Sequence, residues 1–192
     1  MSSSREIVRF ICDSFPNTPI VVSTGYNSRY AFSVHKPNHY YMTGSMGMAS
    51  QIGIGIADVT NKKTIVIDGD GSVAMNLSAL MSVCKRNNLK LIHFVINNAA
   101  YASTGGQTTN VDNVDLSGIA RSCGYSSTTK IYTLSDLASL SKRIDDGHFD
   151  NSLPLFVECK ASNYLASCTD KRIDVDLALI KETITKHVAE II

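Results

Sequence analysis

No apolar stretch in this 192-residue chain reaches membrane-spanning length, and its Lys and Arg residues form no basic stripe. The formal net charge of +1 gives no electrostatic footprint for nucleic acid. The polar N-terminal residues run into an amphipathic helical pattern, which is unlike a signal peptide. We therefore expect a cytoplasmic protein without a nucleic-acid or membrane partner.

The five cysteines are scattered and include no Cys-x-x-Cys pair. The chain thus has no close-spaced pair of the kind that ligates an iron–sulfur cluster. Such a set is typical of reduced, mostly buried thiols. The residues are Cys12, Cys84, Cys123, Cys159 and Cys168.

Strands and helices alternate along the sequence, without an internal repeat, a low-complexity segment or a long linker. This order predicts one α/β domain, residues 1–192, with a doubly wound, mainly parallel sheet and helices on both faces. The predicted strands are 20–22, 39–42, 64–68, 89–96, 130–132 and 155–158. The predicted helices include 5–15, one ending at 56, 73–87, 115–123 with Asp115 as N-cap, 135–145 and 173–192.

Polar residues close two neighbouring predicted strands. Gly69-Asp70-Gly71 follows the strand 64–68, and Asn97-Asn98 follows the strand 89–96. A parallel connection brings both strand ends to one edge of the sheet, where ligands of α/β sheets bind. The oxygens of Asp70 and Asn98 suit Mg²⁺, and the glycines let backbone approach a phosphate. A helix beginning at Ser72 would direct free N–H groups to the same place.

The spacing of these two motifs resembles the diphosphate-and-metal signature of thiamine diphosphate enzymes. Turn and cap residues are the alternative interpretation, since Asp and Asn are common at strand ends. A turn, Gly44-Ser45-Met46-Gly47, precedes another predicted helix, and two loops rich in Gly and hydroxyl residues, 23–29 and 103–109, lie at strand ends. Each alone is more often an ordinary loop, and an isolated Met is more often core.

Together these stretches, from residue 23 to 109, resemble most closely the diphosphate-binding half of the phosphonopyruvate and sulfopyruvate decarboxylases. The resemblance implies that the Gly44 carbonyl meets the aminopyrimidine and that Met46 wedges the cofactor into a bent form. It also implies Mg²⁺ ligation by Asp70, Asn98 and the Ala100 carbonyl. The implied cofactor-binding residues are Thr24, Gly25, Gly44, Ser45, Met46, Gly69, Asp70, Gly71, Ser72, Asn98, Ala100 and Tyr101.

Two positions depart from that family. Histidine is usual in the phosphonopyruvate enzymes where this chain has Met48 and Tyr101, both expected near the reacting group. Tyr101 is therefore a candidate catalytic residue, and the exact substrate stays open. Arg29 is a candidate contact for a phosphonate or sulfonate, although a loop Arg is more often solvated or paired. His35, His39 and His93 are interpreted as structural.

The implied activity is decarboxylation of a 2-oxo acid that depends on thiamine diphosphate and Mg²⁺. Such substrates include 3-phosphonopyruvate, which gives phosphonoacetaldehyde, and 3-sulfopyruvate, which gives sulfoacetaldehyde. Enzymes of this class also need a pyrimidine-binding domain with an activating glutamate, and this chain has the length of the diphosphate domain only. Its own acids are interpreted as solvated residues at the surface or at strand ends. These are Glu6, Glu158, Glu182 and Glu190. We therefore expect a hetero-oligomer with a pyrimidine-domain partner that supplies the glutamate.

Three other functions fit parts of the pattern. The β subunit of a 2-oxoacid:ferredoxin oxidoreductase carries similar motifs, but it usually has a close-spaced cysteine pair. A carboligase of the acetolactate synthase type normally carries all its domains in one chain. A non-catalytic cofactor-binding module is disfavoured by the intact Asp70, Asn98 and glycine set.

Overall fold

The computed structural model describes residues 1–84, 86, 88–163 and 168–191. The strands are β1 (Ile20–Val22), β2 (His39–Tyr41), β3 (Thr64–Gly69), β4 (Leu91–Asn97), β5 (Ser127–Ile131) and β6 (Leu155–Lys160). The helices are α1 (Ser4–Ser14), α2 (Tyr26–Phe32), α3 (Ala49–Thr60), α4 (Asp70–Met75), α5 (Leu116–Ser122), α6 (Leu134–Asp145) and α7 (Leu177–Ile191). Two 3-10 helices, Leu77–Val83 and Val111–Asn113, complete the described elements.

The six strands form one parallel sheet in the order β2-β1-β3-β4-β6-β5. The predicted doubly wound α/β fold is therefore confirmed. The chain builds outward from β1 in both directions, because β2 pairs with one side of it and β3 with the other. The crevice beyond the carboxyl ends of such strands is the usual ligand site of this architecture.

Apolar residues of the central strands alternate between two cores, one on each face of the sheet. Ile65 and Ile67 of β3 belong to one cluster, whereas Val66 packs in the other. Phe94 and Val95 of β4 divide in the same way. Successive side chains of a strand point to opposite faces, so a sheet covered on both sides needs continuous apolar runs. This is the reason that the centres of both strands, residues 65–67 and 94–96, are apolar at every position.

The single helix predicted over 73–87 is wrong. The α-helix begins at Asp70, not Ser72, because the chain turns directly out of β3 at the N-cap Gly69, and it ends at Met75. Asn76 then leaves helical geometry and donates a hydrogen bond to the Gly47 carbonyl (3.0 Å), and a 3-10 helix follows. Of the predicted apolar stripe, Val73 and Leu80 are buried, whereas Leu77, Met81 and Cys84 are exposed. The predicted end at Asn87 lies outside the described residues.

The other predicted elements are present with ends shifted by a few residues. Asp115 occupies the N-cap position of α5, but its side chain makes no capping hydrogen bond. In α7, Ile180 and Ile184 are buried and Leu177 is exposed; the predicted end at Ile192 lies outside the described residues. The cysteines are free, as expected, but the expectation of mostly buried thiols is wrong because only Cys12 and Cys159 are buried.

No helix among the described residues has the length and apolar character needed to cross a membrane.

His39 makes the stability of this fold depend on pH. Its ring is 1% exposed and lies 3.0 Å from the Tyr41 hydroxyl through Nδ1, and burial together with nearby Lys36 lowers its pKa to about 3. In the unfolded chain His39 becomes protonated below about pH 6.5, whereas in the folded chain it stays neutral until the pH approaches its pKa of about 3. The stability present at neutral pH is therefore lost as the pH falls through this range. Urea unfolding should show a loss of up to about 2 kcal/mol between pH 7 and pH 5 from this group. His39→Gln should reduce that loss, whereas the control His148→Gln should keep it; an equal slope in all three proteins would contradict the assignment.

Candidate functional site

A cleft with an enclosed volume of about 70 Å³ opens at the carboxyl ends of β1, β3 and β4. The loop after β1, the turn from β3 into α4, the segment after β4 and Met46 line it. These are the strand ends that the sequence predicted to meet. Asp70 is the only acidic residue among the described residues that line the cleft.

Three oxygen donors converge in this cleft. One terminal atom of the Asn98 carboxamide lies 2.9 Å from the Ala100 carbonyl oxygen and 3.3 Å from Asp70 Oδ1. Neighbouring oxygens of an octahedral Mg²⁺ site lie about 3 Å apart, since each is about 2.1 Å from the ion. At this position the Asn98 amide nitrogen donates hydrogen bonds to both the Ala100 carbonyl oxygen and Asp70 Oδ1. Rotation of the Asn98 carboxamide would place its oxygen there instead. The spacing and chemistry of the three groups therefore fit a small hard cation.

The Asp70 carboxylate is held in place by the loop that follows β4. Asp70 is 2% exposed, and its Oδ2 accepts a hydrogen bond of 2.6 Å from the Thr109 hydroxyl. Burial raises the pKa of Asp70, and the bond from Thr109 opposes that rise. A buried carboxylate whose pKa is raised by burial gains from a counter-ion, which is a second property expected of a metal ligand.

Gly71 allows the Tyr101 loop to close over the start of α4. A Cβ atom at position 71 would lie 2.3 Å from the Tyr101 ring and 3.0 Å from the Thr109 methyl group. Only glycine leaves room for both. The Tyr101 carbonyl accepts N–H groups from Thr104, Gly105 and Gly106, which folds residues 101–107 into a compact turn.

Hydrogen bonds with Ser72 of α4 and with Asn76 at its end hold the turn between β2 and α3 in place. Gly47, with φ of 89°, donates its N–H to the Ser72 hydroxyl (3.0 Å), and its carbonyl accepts from Asn76. This holds Met46, which is half-buried, in the wall of the cleft. A side chain at 47 would lie 2.8 Å from Asn76 Cβ, so the turn and α4 pack at glycine distance.

The structure brings most, but not all, of the predicted cofactor residues together. Those that line the cleft are Thr24, Met46, Gly69, Asp70, Gly71, Ser72, Asn98, Ala100 and Tyr101. Gly44 and Ser45 are exposed and do not line it, and Gly25 lies on the far side of Thr24, against Ser103. Met48 is 40% exposed and contacts Asn76 on the rim. None of His35, His39 and His93 lines the cleft, which agrees with their structural interpretation.

Sequence reasoning did not single out several residues of the cleft. Ser23, Tyr26, Asn27, Tyr30 and Ser103 line it, and the Ser23 hydroxyl is buried without a hydrogen-bonding partner among the described residues. An orphaned buried hydroxyl at a cleft wall is a donor available to a ligand. Four of the five lie inside the two predicted loops, but a motif does not reveal which side chains point inward.

A buried polar network supports the loop that follows β4. Glu158 of β6 is 1% exposed, and its Oε1 accepts hydrogen bonds from Asn97 Nδ2 (2.7 Å) and Lys160 Nζ (3.1 Å). Asn97 Oδ1 in turn accepts the N–H of Ala99, which has φ of 58°. The expectation of a solvated Glu158 is thus wrong, because β6 is a central strand with its carboxyl end under the loop. Glu6, Glu182 and Glu190 lie at the surface as expected.

A parallel sheet with glycine turns and polar groups at its carboxyl edge defines the class of open α/β domains that bind ligands in the crevice at that edge. The chain belongs to the thiamine pyrophosphate enzymes: residues 22–159 match the family described as "Thiamine pyrophosphate enzyme, C-terminal TPP binding domain". The predicted family resemblance is confirmed.

Similar proteins include the sulfopyruvate decarboxylase subunit beta of Methanothermobacter thermautotrophicus, which is 41% identical over 107 residues. That match covers 55% of this chain and 58% of the relative. The phosphonopyruvate decarboxylase of Streptomyces hygroscopicus is 36% identical over 132 residues, or 68% of this chain and 33% of that protein. The sulfopyruvate decarboxylase subunit beta of Methanocaldococcus jannaschii is 40% identical over 127 residues, covering 65% and 68%. The chain thus matches one third to two thirds of the length of these relatives.

Solved structures of the same fold include the thiamine diphosphate-dependent 4-hydroxybenzoylformate decarboxylase of Rhodococcus jostii, with a TM-score of 0.66 and 16% identity. This match covers 85% of the present chain and 33% of that one. Benzoylformate decarboxylase from Polynucleobacter necessarius gives a TM-score of 0.65 at 14% identity, covering 84% and 33%. At such identities these structures support the fold alone.

Proposed function

We propose that this chain is the diphosphate-binding subunit of a decarboxylase that acts on a 2-oxo acid with thiamine diphosphate and Mg²⁺. The observation that carries the proposal is the convergence of Asp70, Asn98 and the Ala100 carbonyl in a cleft of the family-matched segment. The relatives named sulfopyruvate and phosphonopyruvate decarboxylases support a substrate of that kind.

The residues of the cleft have separate tasks in this proposal. Asp70, Asn98 and the Ala100 carbonyl would hold the Mg²⁺, and the hydroxyls of Ser23, Thr24 and Ser72 are available as donors to phosphate oxygens. When bound, thiamine diphosphate supplies the electron sink for loss of carbon dioxide. The apolar surface of Met46 would exclude water beside it, which favours loss of the carboxylate charge. Tyr101 stays a candidate for contact with the reacting group.

A partner subunit would complete the site. No glutamate lies among the described residues that line the cleft, so the activating glutamate would come from another chain. Four apolar side chains in α4, in the following 3-10 helix and in contact with Asn76 between them are exposed. They are Met48, Met75, Leu77 and Met81. Relatives named as subunit beta are consistent with a second, pyrimidine-binding subunit and a hetero-oligomer.

The test is release of carbon dioxide from sulfopyruvate, phosphonopyruvate and pyruvate by this chain co-expressed with a candidate pyrimidine-domain subunit. We expect turnover only when both chains, thiamine diphosphate and Mg²⁺ are present. The chain alone and the partner alone are the controls. Cofactor binding without release from any of the three would contradict the decarboxylase assignment and favour an oxidoreductase or carboligase reaction. Neither binding nor turnover would favour the non-catalytic module.

Met46→Ala should slow turnover more than it weakens cofactor binding. The Met46 side chain forms part of the cleft wall but offers no hydrogen-bonding group to a phosphate. Its loss should therefore make the conformation of the bound cofactor less well defined without releasing the diphosphate. We expect kcat to fall about tenfold to a hundredfold, with the Kd for thiamine diphosphate changing much less. Met46→Leu, which keeps the apolar bulk, should retain most of the activity. A Met46→Ala protein with unchanged kcat would contradict the wedge role.

A further inference from the structure

Beside the cofactor cleft lies a second cavity, of about 350 Å³, whose lining carries two positive charges and no negative one. Arg29 of α2 and Arg172 of the segment before α7 both line it, although they are distant in sequence; Arg29 is half-buried and Arg172 is exposed. Around them stand the hydroxyl groups of Thr24, Ser28, Thr43 and Ser103, and the remaining lining residues are Gly25 and Ile173.

The two guanidinium groups have no carboxylate partner among the described residues. By contrast, Arg5 lies 2.8 Å from Asp170, and Arg86 lies 3.5 Å from Asp58. Arg29 is half-buried and its guanidinium lies 5.2 Å from the centre of the Tyr26 ring, a cation–π contact that favours a defined position for the side chain. Two such groups in one cavity repel each other unless an anion lies between them.

The cavity shares a wall with the cofactor cleft. Thr24 and Ser103 line both spaces, and a Cβ atom at Gly25 would lie 3.2 Å from Ser103 Oγ, so the two loops touch. A small molecule that occupies the cleft with one end can therefore place a second polar group near the arginines. Guanidinium forks and hydroxyls together suit the several oxygens of a tetrahedral anion, because each fork can bind two of them.

We propose that this cavity, formed by Arg29, Arg172 and the surrounding hydroxyls, is a binding site for a tetrahedral oxyanion such as a phosphonate, a sulfonate or inorganic phosphate. Its source is either the second anionic group of the substrate or phosphate from solution. The first source rests on the proposed function; the binding site itself does not.

Methylphosphonate is the probe, titrated calorimetrically into the chain and into the assembled enzyme saturated with thiamine diphosphate and Mg²⁺. Arg29→Gln and Arg172→Gln should each weaken binding about tenfold, the effect of losing one charge-assisted contact. Arg29→Lys should fall between wild type and Arg29→Gln, and the surface control Arg143→Gln should bind as wild type does. Asp70→Asn, measured as the chain alone because this variant is expected not to retain the cofactor, should also keep the affinity, since Asp70 does not line this cavity. Thermal unfolding of each variant checks that it is folded.

Equal affinity in wild type, Arg29→Gln and Arg172→Gln would overturn the proposal. Loss of methylphosphonate binding in Asp70→Asn alone would overturn it too, since the probe would then occupy the diphosphate site. These results do not need turnover, so they remain decisive if the enzyme proves not to be a decarboxylase.

Kinetics separate the two sources of the anion. If the substrate supplies it, Arg29→Gln lowers kcat/KM for sulfopyruvate or phosphonopyruvate about tenfold and leaves kcat/KM for pyruvate unchanged. If arginine-dependent binding of methylphosphonate is found with an unchanged ratio between substrates, the site is supported with inorganic phosphate as its ligand. Competition between phosphate and methylphosphonate at the same arginines then confirms that source.

Discussion

Asp70→Asn is expected to abolish Mg²⁺-dependent binding of thiamine diphosphate and to leave the fold intact. The substitution keeps the shape of the side chain but removes the only negative charge among the described residues of the cleft. A neutral amide is a far weaker ligand for a hard dication than a carboxylate. We expect the apparent Kd for the cofactor at saturating Mg²⁺ to rise at least about a hundredfold, more than loss of an outer-shell partner usually costs.

The Asp70→Asn protein should not lose stability when it loses cofactor affinity. Burial raises the pKa of Asp70, so the ionised carboxylate is less stable in the empty folded site than in the unfolded chain at neutral pH. Removing the charge relieves that cost, and the free energy of unfolding without ligand should stay the same or increase. A site that costs stability until it is occupied is typical of a ligand-binding position rather than of a core polar residue.

Two further variants make this measurement specific. Thr109→Val removes the hydroxyl that orients the Asp70 carboxylate at 2.6 Å, and it should weaken cofactor binding by about tenfold. Asp58→Asn removes an exposed carboxylate that pairs with Arg86, and it should change nothing. Wild-type affinity in Asp70→Asn would contradict the metal assignment, and loss of affinity in Asp58→Asn would point to a general electrostatic effect.

The sequence was informative wherever local pattern and tertiary position agree. The apolar runs of β3 and β4 are bounded by glycine and asparagine, so both strands and their functional ends could be predicted. The parallel connection of these strands then predicted that Asp70 and Asn98 lie at the same edge of the sheet. Rules of connection and handedness carry such inferences across long stretches of chain.

Prediction failed where a tertiary contact overrides local preference. The stripe after Gly71 has helical spacing, but Asn76 gives up helical geometry to bond the Gly47 carbonyl, and exposed Met81 follows. The sequence around Asn76 does not indicate that its side chain will bond to Gly47. Likewise, no pattern in the sequence indicates that Arg172 lines the same cavity as Arg29, since this depends on tertiary packing. Side-chain direction in loops is decided by packing, which periodicity does not record.

Glu158 was expected to be solvated but is buried, so its removal should have a large effect on stability. Glu158→Ala should lower the free energy of unfolding by about 2 kcal/mol, because it leaves the buried Asn97 carboxamide without its acceptor and removes one of the two carboxylates that pair with Lys160. The pKa of Lys160 is lowered by its burial but raised overall by hydrogen bonds to Asp112 and Glu158, which is consistent with an ion pair that stabilises the charged form. Urea unfolding measures the loss.

The same variant should also weaken cofactor binding, although Glu158 does not line the cleft. Asn97 links the two sites: Glu158 holds its amide group, and its carbonyl oxygen accepts the N–H of Ala99 between the predicted ligands Asn98 and Ala100. Glu158→Gln, which can still accept from Asn97, should retain the affinity better than Glu158→Ala does. Asn97→Ala and Glu158→Ala combined should then cost less than the sum of the single changes, because both break the same connection. Additive losses in the double variant would mean that Glu158 stabilises the sheet without positioning the loop.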